Sequence, residues 1–373
     1  MRRGMPCEPS TESSSSPWIF PVFLPHAGCP HRCVFCDQHR ISSVNRRLPT
    51  AGELNASLEA ALSRPIDPER KREVAFFGGN FFGLPTEILR SFLDVVSAFR
   101  TAGRIQAIRC STRPDTVSDA ILSWTKALGL STVELGAQSM NDAVLDASHR
   151  GHRVSHTIEA VERLKRFGVA VGLQLMVGLP EDSPEIALQS ANIAASLKPD
   201  VVRIYPTVVL SGTPLADRYI RGEYRPMALE EAVSAVADMM VVFQQAHIPV
   251  IRIGLQASET MMAEGAILAG PWHPAFGHLV ASRMFRNRLM EELDRRRVWG
   301  GHLSIVVHPR DISRMRGDRN ENLRFLAHRY GLTDITVRGD IRIGRNGFDI
   351  EPIGATAIGT KPGRARKTSD SLC

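Results

Sequence analysis

Three cysteines lie close together near the start of the chain, within the stretch "PHAGCPHRCVFCDQHRIS" (residues 25–42): Cys29, Cys33 and Cys36. In a reducing compartment, clustered cysteines favour metal or redox chemistry over disulfides. A structural zinc site needs four ligands, usually in two pairs, and no second cysteine pair follows. Three nearby histidines could each supply a fourth zinc ligand: His26, His31 and His39. Thioredoxin-type chemistry has no use for a third thiol. Three thiolates also suit a 4Fe–4S cluster whose fourth iron stays open to a substrate.

Short apolar and β-branched runs predict the strands that must position these cysteines: residues 18–24, 73–77, 105–111, 132–138, 169–177 and 201–206. A seventh strand is expected at 248–256. Between the strands, apolar residues recur three and four apart, which predicts helices over 87–99 and 157–168. Strands that alternate with helices form a parallel α/β sheet.

Polar and glycine residues follow each predicted strand. The cysteines come after the first, "GGN" (Gly78, Gly79 and Asn80) after the second, and "STRPD" (111–115) after the third. The carboxyl ends of parallel strands meet at one edge, where active sites lie, so we expect these loops to form one site. Glycine removes the side chain that would block a bulky cofactor.

Polar side chains at the ends of the third and fourth strands are candidates for cofactor or nucleoside contacts. The hydroxyls of Ser111 and Thr112 and the cation of Arg113 suit a ribose or a carboxylate. Nucleoside contacts are candidates at the end of the fourth strand: Glu134, Gln138 and Ser139.

The CxxxCxxC spacing, with Phe35 before the last cysteine, is the signature of the radical S-adenosylmethionine (SAM) superfamily. With "GGN", "IRCSTRPD", "VELGAQSMNDAVLDASHRGH", "LQLMVGLP" and "GPWHPAFG", the sequence resembles the radical SAM half of the Elongator catalytic subunit and its shorter bacterial relatives that lack the acetyltransferase domain. The resemblance covers about residues 18–280. It implies an α/β fold, a partial (β/α)6 TIM-type barrel, followed by a small C-terminal α/β extension.

The resemblance also implies a 4Fe–4S cluster on Cys29, Cys33 and Cys36, with SAM bound at the unique iron. By position, Phe35 would lie against the adenine. Three backbone carbonyls would meet the methionyl amino group, those of Gly78, Gly79 and Asn80, although many members carry Glu where this chain has Asn80. The implied reaction is reductive cleavage of SAM to a deoxyadenosyl radical that abstracts hydrogen from a substrate. A reducing electron donor such as ferredoxin or flavodoxin is the expected partner.

Two differences between this sequence and the related families bear on the substrate and the reaction. Coproporphyrinogen dehydrogenases carry a fourth cysteine where this chain has Gln38, which disfavours a porphyrin precursor but leaves it as an alternative substrate class. Acetyl transfer of the Elongator type is not expected, because the chain ends before an acetyltransferase domain would fit.

The basic charge is concentrated in the last quarter of the chain. Residues 281–373 hold 19 Lys and Arg against 11 Asp and Glu, which favours a polyanion such as tRNA or another RNA as substrate. Within them, "MRGDRNENLRFL" (315–326) resembles the GXXG loop and helix of a KH module, with Asn320 in place of the second glycine. The alternative function is a non-catalytic RNA-binding protein that carries zinc or a passive iron–sulfur cluster.

These features predict four segments: a flexible leader (1–17), a radical SAM core (18–246), a C-terminal extension (247–360) and a basic tail (361–373). We expect a cytoplasmic protein with no membrane partner, because no apolar run of about eighteen residues is present and no apolar segment follows the N-terminal arginines.

Overall fold

The computed structural model describes residues 17–24, 26–37, 47–65, 67, 69–255 and 259–353, with the backbone alone at 259–260 and 352–353. Gln38, most of the predicted leader and the basic tail lie outside the described residues. The chain divides into two compact units between Pro274 and Ala275. The predicted domain boundaries stay predictions.

Seven strands of the first unit form one sheet: β1 (Trp18–Leu24), β2 (Arg72–Gly78), β3 (Ala107–Thr112), β4 (Leu130–Gln138), β5 (Ala170–Val177), β6 (Val201–Pro206) and, after a short β7 (Val209–Leu210), β8 (Val250–Ile253). Each strand is parallel to its neighbours, in the order β1-β2-β3-β4-β5-β6-β8. The sheet curls into a partial barrel, which confirms the predicted fold class. β7 pairs with β9 (Ile267–Ala269) in a separate antiparallel ribbon.

Nine helices are described in the first unit: α1 (Ala51–Leu62), α2 (Thr86–Thr101), α3 (Asp119–Ala127), α4 (Asp142–Ala147), α5 (Val154–Arg166), α6 (Pro184–Ser196), α7 (Pro214–Ile220), α8 (Leu229–Gln245) and α9 (Glu259–Met262). Their apolar faces follow the helical period. In α2, Leu89, Phe92, Val96 and Phe99 are all buried, and this helix was predicted at 87–99. None of the helices that the structure describes has the length and apolar character of a membrane span.

The strand side chains alternate between two environments. In β3, Ile108 and Cys110 are fully buried, whereas Arg109 and Ser111 are half-buried on the opposite face. That second face is the concave side of the curled sheet, and it bears many polar and charged groups, which are described below. The period-2 alternation therefore separates a dry core from a polar barrel interior.

The second unit contains α10 (Phe276–Arg296), β10 (His302–Val307), α11 (Ile312–Arg316), α12 (Glu321–Tyr330), β11 (Asp334–Gly339) and β12 (Phe348–Ile353). β10 lies between a parallel β11 and an antiparallel β12. Its core includes Phe285, Leu303, Ile305, Leu326 and Tyr330. This arrangement is the small α/β extension that the sequence predicted. The β11 strand ends at Gly339, because Asp340 then accepts a hydrogen bond from the Arg342 backbone and forms a turn.

Candidate functional site

The cysteine loop, residues 26–37, begins two residues after the carboxyl end of β1. It is folded by short turns: the Ala27 N–H donates to the Leu24 carbonyl at 3.2 Å and the Cys36 N–H to the Cys33 carbonyl at 3.1 Å. Cys33 is buried, and Cys29 and Cys36 are half-buried. The loop therefore holds three free thiols at the edge of the sheet where the carboxyl ends of the strands meet.

The loop that follows β2 contacts the cysteine loop backbone to backbone. The Asn80 N–H donates to the Ala27 carbonyl at 2.7 Å. A Cβ on Gly79 would lie 2.3 Å from that same carbonyl oxygen and 2.5 Å from the Leu24 carbonyl oxygen. The cysteine loop is equally close to the second loop, since a Cβ on Gly28 would lie 2.3 Å from the Asn80 carbonyl oxygen. Glycine is required at both positions because the two backbone segments touch. This contact fixes the start of the cysteine loop.

The Asn80 side chain joins the loops that follow β1, β2 and β3. It is fully buried, and its Nδ2 donates to the Gly28 carbonyl at 2.8 Å. Its Oδ1 accepts from the Thr112 hydroxyl at 2.6 Å, from the Arg113 N–H at 3.0 Å and from the Thr116 hydroxyl at 2.9 Å. The amide thus has donors and acceptors within the protein, and the predicted SAM contact at this position concerns its backbone carbonyl.

A second contact holds the other end of the cysteine loop, through the segment 148–152 that follows α4. The Val34 N–H donates to the Ser148 carbonyl at 3.2 Å. Arg150 Nη1 donates to Cys33 Sγ at 3.0 Å, and its Nη2 donates to the Gly136 carbonyl at 2.6 Å. A Cβ on Gly151 would overlap the His31 ring, 2.4 Å from its Cδ2. The cysteine loop is therefore clamped between two segments.

The three thiols interact electrostatically. Burial raises the pKa of Cys36, and the neighbouring Cys33 raises it further. Burial and then Cys33 also raise the pKa of Cys29, while Arg113 and Arg150 oppose the shift. A bound metal cluster removes this penalty, because iron holds its thiol ligands deprotonated.

The donor set fits an iron–sulfur cluster. In the part of the chain that the structure describes, no three His, Cys, Asp or Glu side chains converge as ligands of a single ion. A 4Fe–4S cluster makes a different demand, because each thiolate binds a different iron. Soft thiols on one short loop, with a guanidinium beside them, meet that demand.

The predicted SAM contacts lie around this loop. Phe35 packs, half-buried, against an apolar cluster that includes Val34, Val209 and Leu215. Gly78 has φ of 100° against the Leu24 backbone. Arg113 is buried, and its guanidinium pairs with Asp115 through two hydrogen bonds of 2.9 and 3.0 Å. The Arg113 cation is thus already partnered within its own loop.

Gln138 has an unusual backbone at the end of β4. Its φ is 67°, a left-handed value that non-glycine residues rarely adopt, and the register between β4 and β5 shifts between Leu135 and Gln138. Bulges of this kind are common beside active sites, where they redirect a side chain. The neighbouring Ser139 is buried, and its hydroxyl lies 3.3 Å from the Ser190 hydroxyl on α6.

The barrel interior beyond the cysteine loop contains an ionic network. Glu134 is 1% exposed, and its carboxylate accepts hydrogen bonds from Arg109 at 3.1 Å, Arg203 at 3.0 Å and Gln174 at 3.0 Å. The candidate nucleoside contact at Glu134 is therefore already occupied by protein donors. Ser111 lies next to it in register and has a weak contact with Gln174.

Two residues of the site were not predicted from the sequence: Arg150 and His152. His152 is 2% exposed, and neither ring nitrogen has a hydrogen-bond partner of normal geometry among the described residues. Burial, with Arg150 and Arg113 nearby, lowers the pKa of His152 to about 3. A signal was present in "SHRGH" (148–152), because two histidines, an arginine and a glycine within five residues are unusual for a turn that only packs.

Comparisons with known proteins agree with this geometry. A radical SAM superfamily model matches residues 23–192, and a radical SAM C-terminal domain model matches residues 199–286. The chain is 36% identical to a tRNA uridine(34) acetyltransferase of Methanocaldococcus infernus over 59% of this chain and 48% of that protein. It is 29% identical to Elongator complex protein 3 of Mus musculus over 46% of this chain and 35% of that protein. The chain thus spans about half the length, or less, of these relatives.

A solved structure, the archaeal Methanocaldococcus infernus Elp3 with an N-terminal deletion, has the same fold. Its TM-score is 0.57 at 24% identity, covering 74% of this chain and 64% of that one. The two family models together span most of the chain, from the end of β1 into α10. With the cysteine loop at the carboxyl edge of a partial parallel barrel, these matches establish that the chain belongs to the radical SAM superfamily and is a radical SAM enzyme, with a core like that of Elp3.

Proposed function

We propose that this chain holds a 4Fe–4S cluster on Cys29, Cys33 and Cys36, cleaves SAM reductively at that cluster, and uses the resulting radical to modify tRNA or another RNA. One observation carries the proposal: three free thiols lie on one loop, clamped on both sides, at the carboxyl edge of the sheet. When bound, the cluster and SAM supply one-electron cleavage of a carbon–sulfur bond to give a deoxyadenosyl radical.

The protein's own residues hold and shield the reacting groups. The contacts of Gly79 and Asn80 fix the first cysteine, and Ser148 and Arg150 fix the second. Gly78 ends β2 at this edge, Gly79 and Asn80 follow it, and the backbone carbonyls of all three are the proposed acceptors for the ammonium group of SAM. Phe35 offers an aromatic face to the adenine. Gln138, whose left-handed backbone turns it out of the β4 register, is the proposed polar contact to the nucleoside.

Anaerobic reconstitution tests the cluster and its chemistry. We expect about four irons and four sulfides per chain, and formation of deoxyadenosine from SAM that depends on a reductant. Ala at Cys29, Cys33 or Cys36 should abolish both. Ala at Cys110, which is fully buried in β3, is the matched control and should retain both. A protein that binds zinc and does not cleave SAM would overturn the proposal and favour the non-catalytic RNA-binding alternative.

The second unit supports an RNA substrate. β10, α11, α12 and β11 follow one another as a βααβ unit, and the loop between the helices carries Gly317, Arg319 and Asn320, all with positive φ. Asn320, which replaces the second glycine of the GXXG pattern, has φ of 62° and so adopts the backbone that a glycine would provide. Gly317 is held by the buried Asn322, whose amide donates to the Met315 carbonyl at 3.0 Å.

Exposed arginines lie at this loop and in the turn that follows β10. Three are exposed and have no acidic partner among the described residues: Arg310, Arg316 and Arg319. Unpaired arginines beside a turn of exposed backbone suit phosphate groups, since each contact releases condensed counterions. Relatives that are tRNA uridine(34) acetyltransferases support the same substrate class.

Salt-dependent binding to a tRNA pool tests this surface. The variant R316Q/R319Q should bind more weakly, and its slope of log K against log salt should fall by roughly 0.7–0.9 per lost phosphate contact. The control R295Q/R342Q removes the same charge from two arginines that already pair with Glu292 and Asp340. Equal weakening in both variants would contradict a specific surface.

Comparison of tRNA nucleosides from a deletion strain with those of the wild type tests the substrate itself. A nucleoside that is absent or altered in the deletion strain would identify the product, whereas an unchanged profile would argue against RNA. A porphyrin precursor is the alternative substrate class, and a reduced ferredoxin or flavodoxin is the proposed donor. We further propose the cytoplasm as its compartment, because thiols remain reduced there.

A further inference from the structure

We infer that Arg150 sets the reduction potential of the cluster, by donating a hydrogen bond to the Cys33 sulfur and placing a buried positive charge beside it. The inference rests on the proposed function, because it concerns the cluster held by the three cysteines. It assigns to Arg150 a tuning role and no contact with SAM or substrate.

The position of Arg150 is fixed on both sides of its guanidinium. Nη1 donates to Cys33 Sγ at 3.0 Å, and Nη2 donates to the Gly136 carbonyl, in β4, at 2.6 Å. The residue is 7% exposed, and Cys33 is 6% exposed. The cysteine loop and β4, which are far apart in sequence, thus hold one guanidinium against one thiol at a site where both are buried.

The charge of Arg150 is otherwise uncompensated. No carboxylate pairs with it in the part of the chain that the structure describes. The nearby Asp115 pairs with Arg113, and His152 is neutral at pH 7. Burying an unpaired cation is costly, so such a group requires an anion. The anion that the geometry offers is the Cys33 thiolate and the cluster bound to it.

The direction of the effect follows from charge. A 4Fe–4S cluster with three thiolates is anionic, and reduction adds one more negative charge. A fixed cation stabilises the reduced form more than the oxidised form, and hydrogen bonds to the sulfurs act in the same sense. Arg150 therefore raises the potential and makes reduction by the electron donor easier.

The test is an anaerobic redox titration of the reconstituted protein, followed by electron paramagnetic resonance of the reduced cluster. In R150M, which removes the charge and keeps much of the volume, we expect the equilibrium constant for reduction to fall at least tenfold, about 59 mV for one electron. R150K, which keeps the charge, should recover part of the shift. R286M is the control, because Arg286 is 8% exposed and lies in the other unit.

Each outcome decides the question. An unchanged potential in R150M, with iron content and melting temperature like the wild type, overturns the inference. If R150M loses its cluster while R150K and R286M keep theirs, the charge of Arg150 is needed to hold the cluster, and the inference of a tuning role fails. If R150K loses it as well, Arg150 acts through its shape, and the inference fails. A wild-type protein that holds no 4Fe–4S cluster would instead refute the proposed function itself.

Discussion

The contact between Gly79 and the cysteine loop makes a strong prediction for Gly79→Ala. The added Cβ would lie 2.3 Å from the Ala27 carbonyl oxygen, 2.5 Å from the Leu24 carbonyl oxygen and 2.8 Å from the Ala27 nitrogen. Cβ atoms in proteins hardly ever approach another heavy atom closer than 3.0 Å. All three neighbours are backbone atoms, so no side chain can rotate away.

The cost is set by how far the backbone must move. Relief of the 2.3 Å contact requires a shift of about 1 Å in the segment that leads to Cys29, and overpacking of this kind costs typically 1–3 kcal/mol. We expect the upper end of that range, about 3 kcal/mol, because the obstruction comes from two sides. The same shift displaces Cys29, so iron and sulfide content should fall together with stability.

Urea unfolding and iron–sulfide analysis of the same anaerobic preparation measure both effects. Gly52→Ala is the control, since the Cβ it adds would have its nearest neighbour 4.0 Å away, and alanine in a helix gains up to about 1 kcal/mol over glycine. A Gly79→Ala protein with wild-type stability and a full cluster would refute the close approach. A destabilised protein with a full cluster would refute the link between this contact and Cys29.

Three further predictions concern buried charges. Burial and the nearby Arg150 hold the pKa of His152 at about 3, so the stability that the neutral ring contributes above pH 6.5 is lost as the pH falls. The free energy of unfolding should therefore be about 2 kcal/mol lower at pH 5 than at pH 7. In urea titrations at these two pH values, His152→Gln should lack this loss. Burial raises the pKa of Asp182 from 3.8 to about 6, so its contribution to stability is lost as the pH rises through 6. Asp182→Asn should therefore gain about 3 kcal/mol in the free energy of unfolding at pH 8 and little at pH 4, and an equal gain at both would contradict this. Glu134→Gln should cost about 3 kcal/mol in urea unfolding at pH 7, because Arg203 loses its buried partner, and removal of both side chains should cost less than the sum of the single changes.

The sheet was predictable because its signal is local. Apolar and β-branched runs marked the strands to within a few residues, as for β3, predicted at 105–111 and found at Ala107–Thr112. The site loops were predictable for the same reason, since glycine and polar residues directly follow the strands. The cysteine motif could be recognised from the spacing of Cys29, Cys33 and Cys36 in the sequence alone.

Contacts between distant segments could not be predicted. Glu134 was a candidate nucleoside contact, but the sheet register places it opposite arginines 25 and 69 residues away in the chain. Arg150 reaches Cys33 across 117 residues, and nothing near either residue in the sequence indicates the pairing. Such partners depend on strand register and on the path of α4, which local composition does not specify.

The buried amide of Asn80 has a consequence for loop exchange between relatives. A carboxylate at this position could accept from Thr112 and Thr116 but could not donate to the Gly28 carbonyl, so a lone Asn80→Glu change would set two acceptors against each other. We therefore expect the cysteine loop, the glycine turn and the "STRPD" turn to tolerate exchange only as a set. Chimeras that graft the cysteine loop alone from a Glu-bearing relative should assemble poorly, whereas grafts that carry all three turns should assemble well.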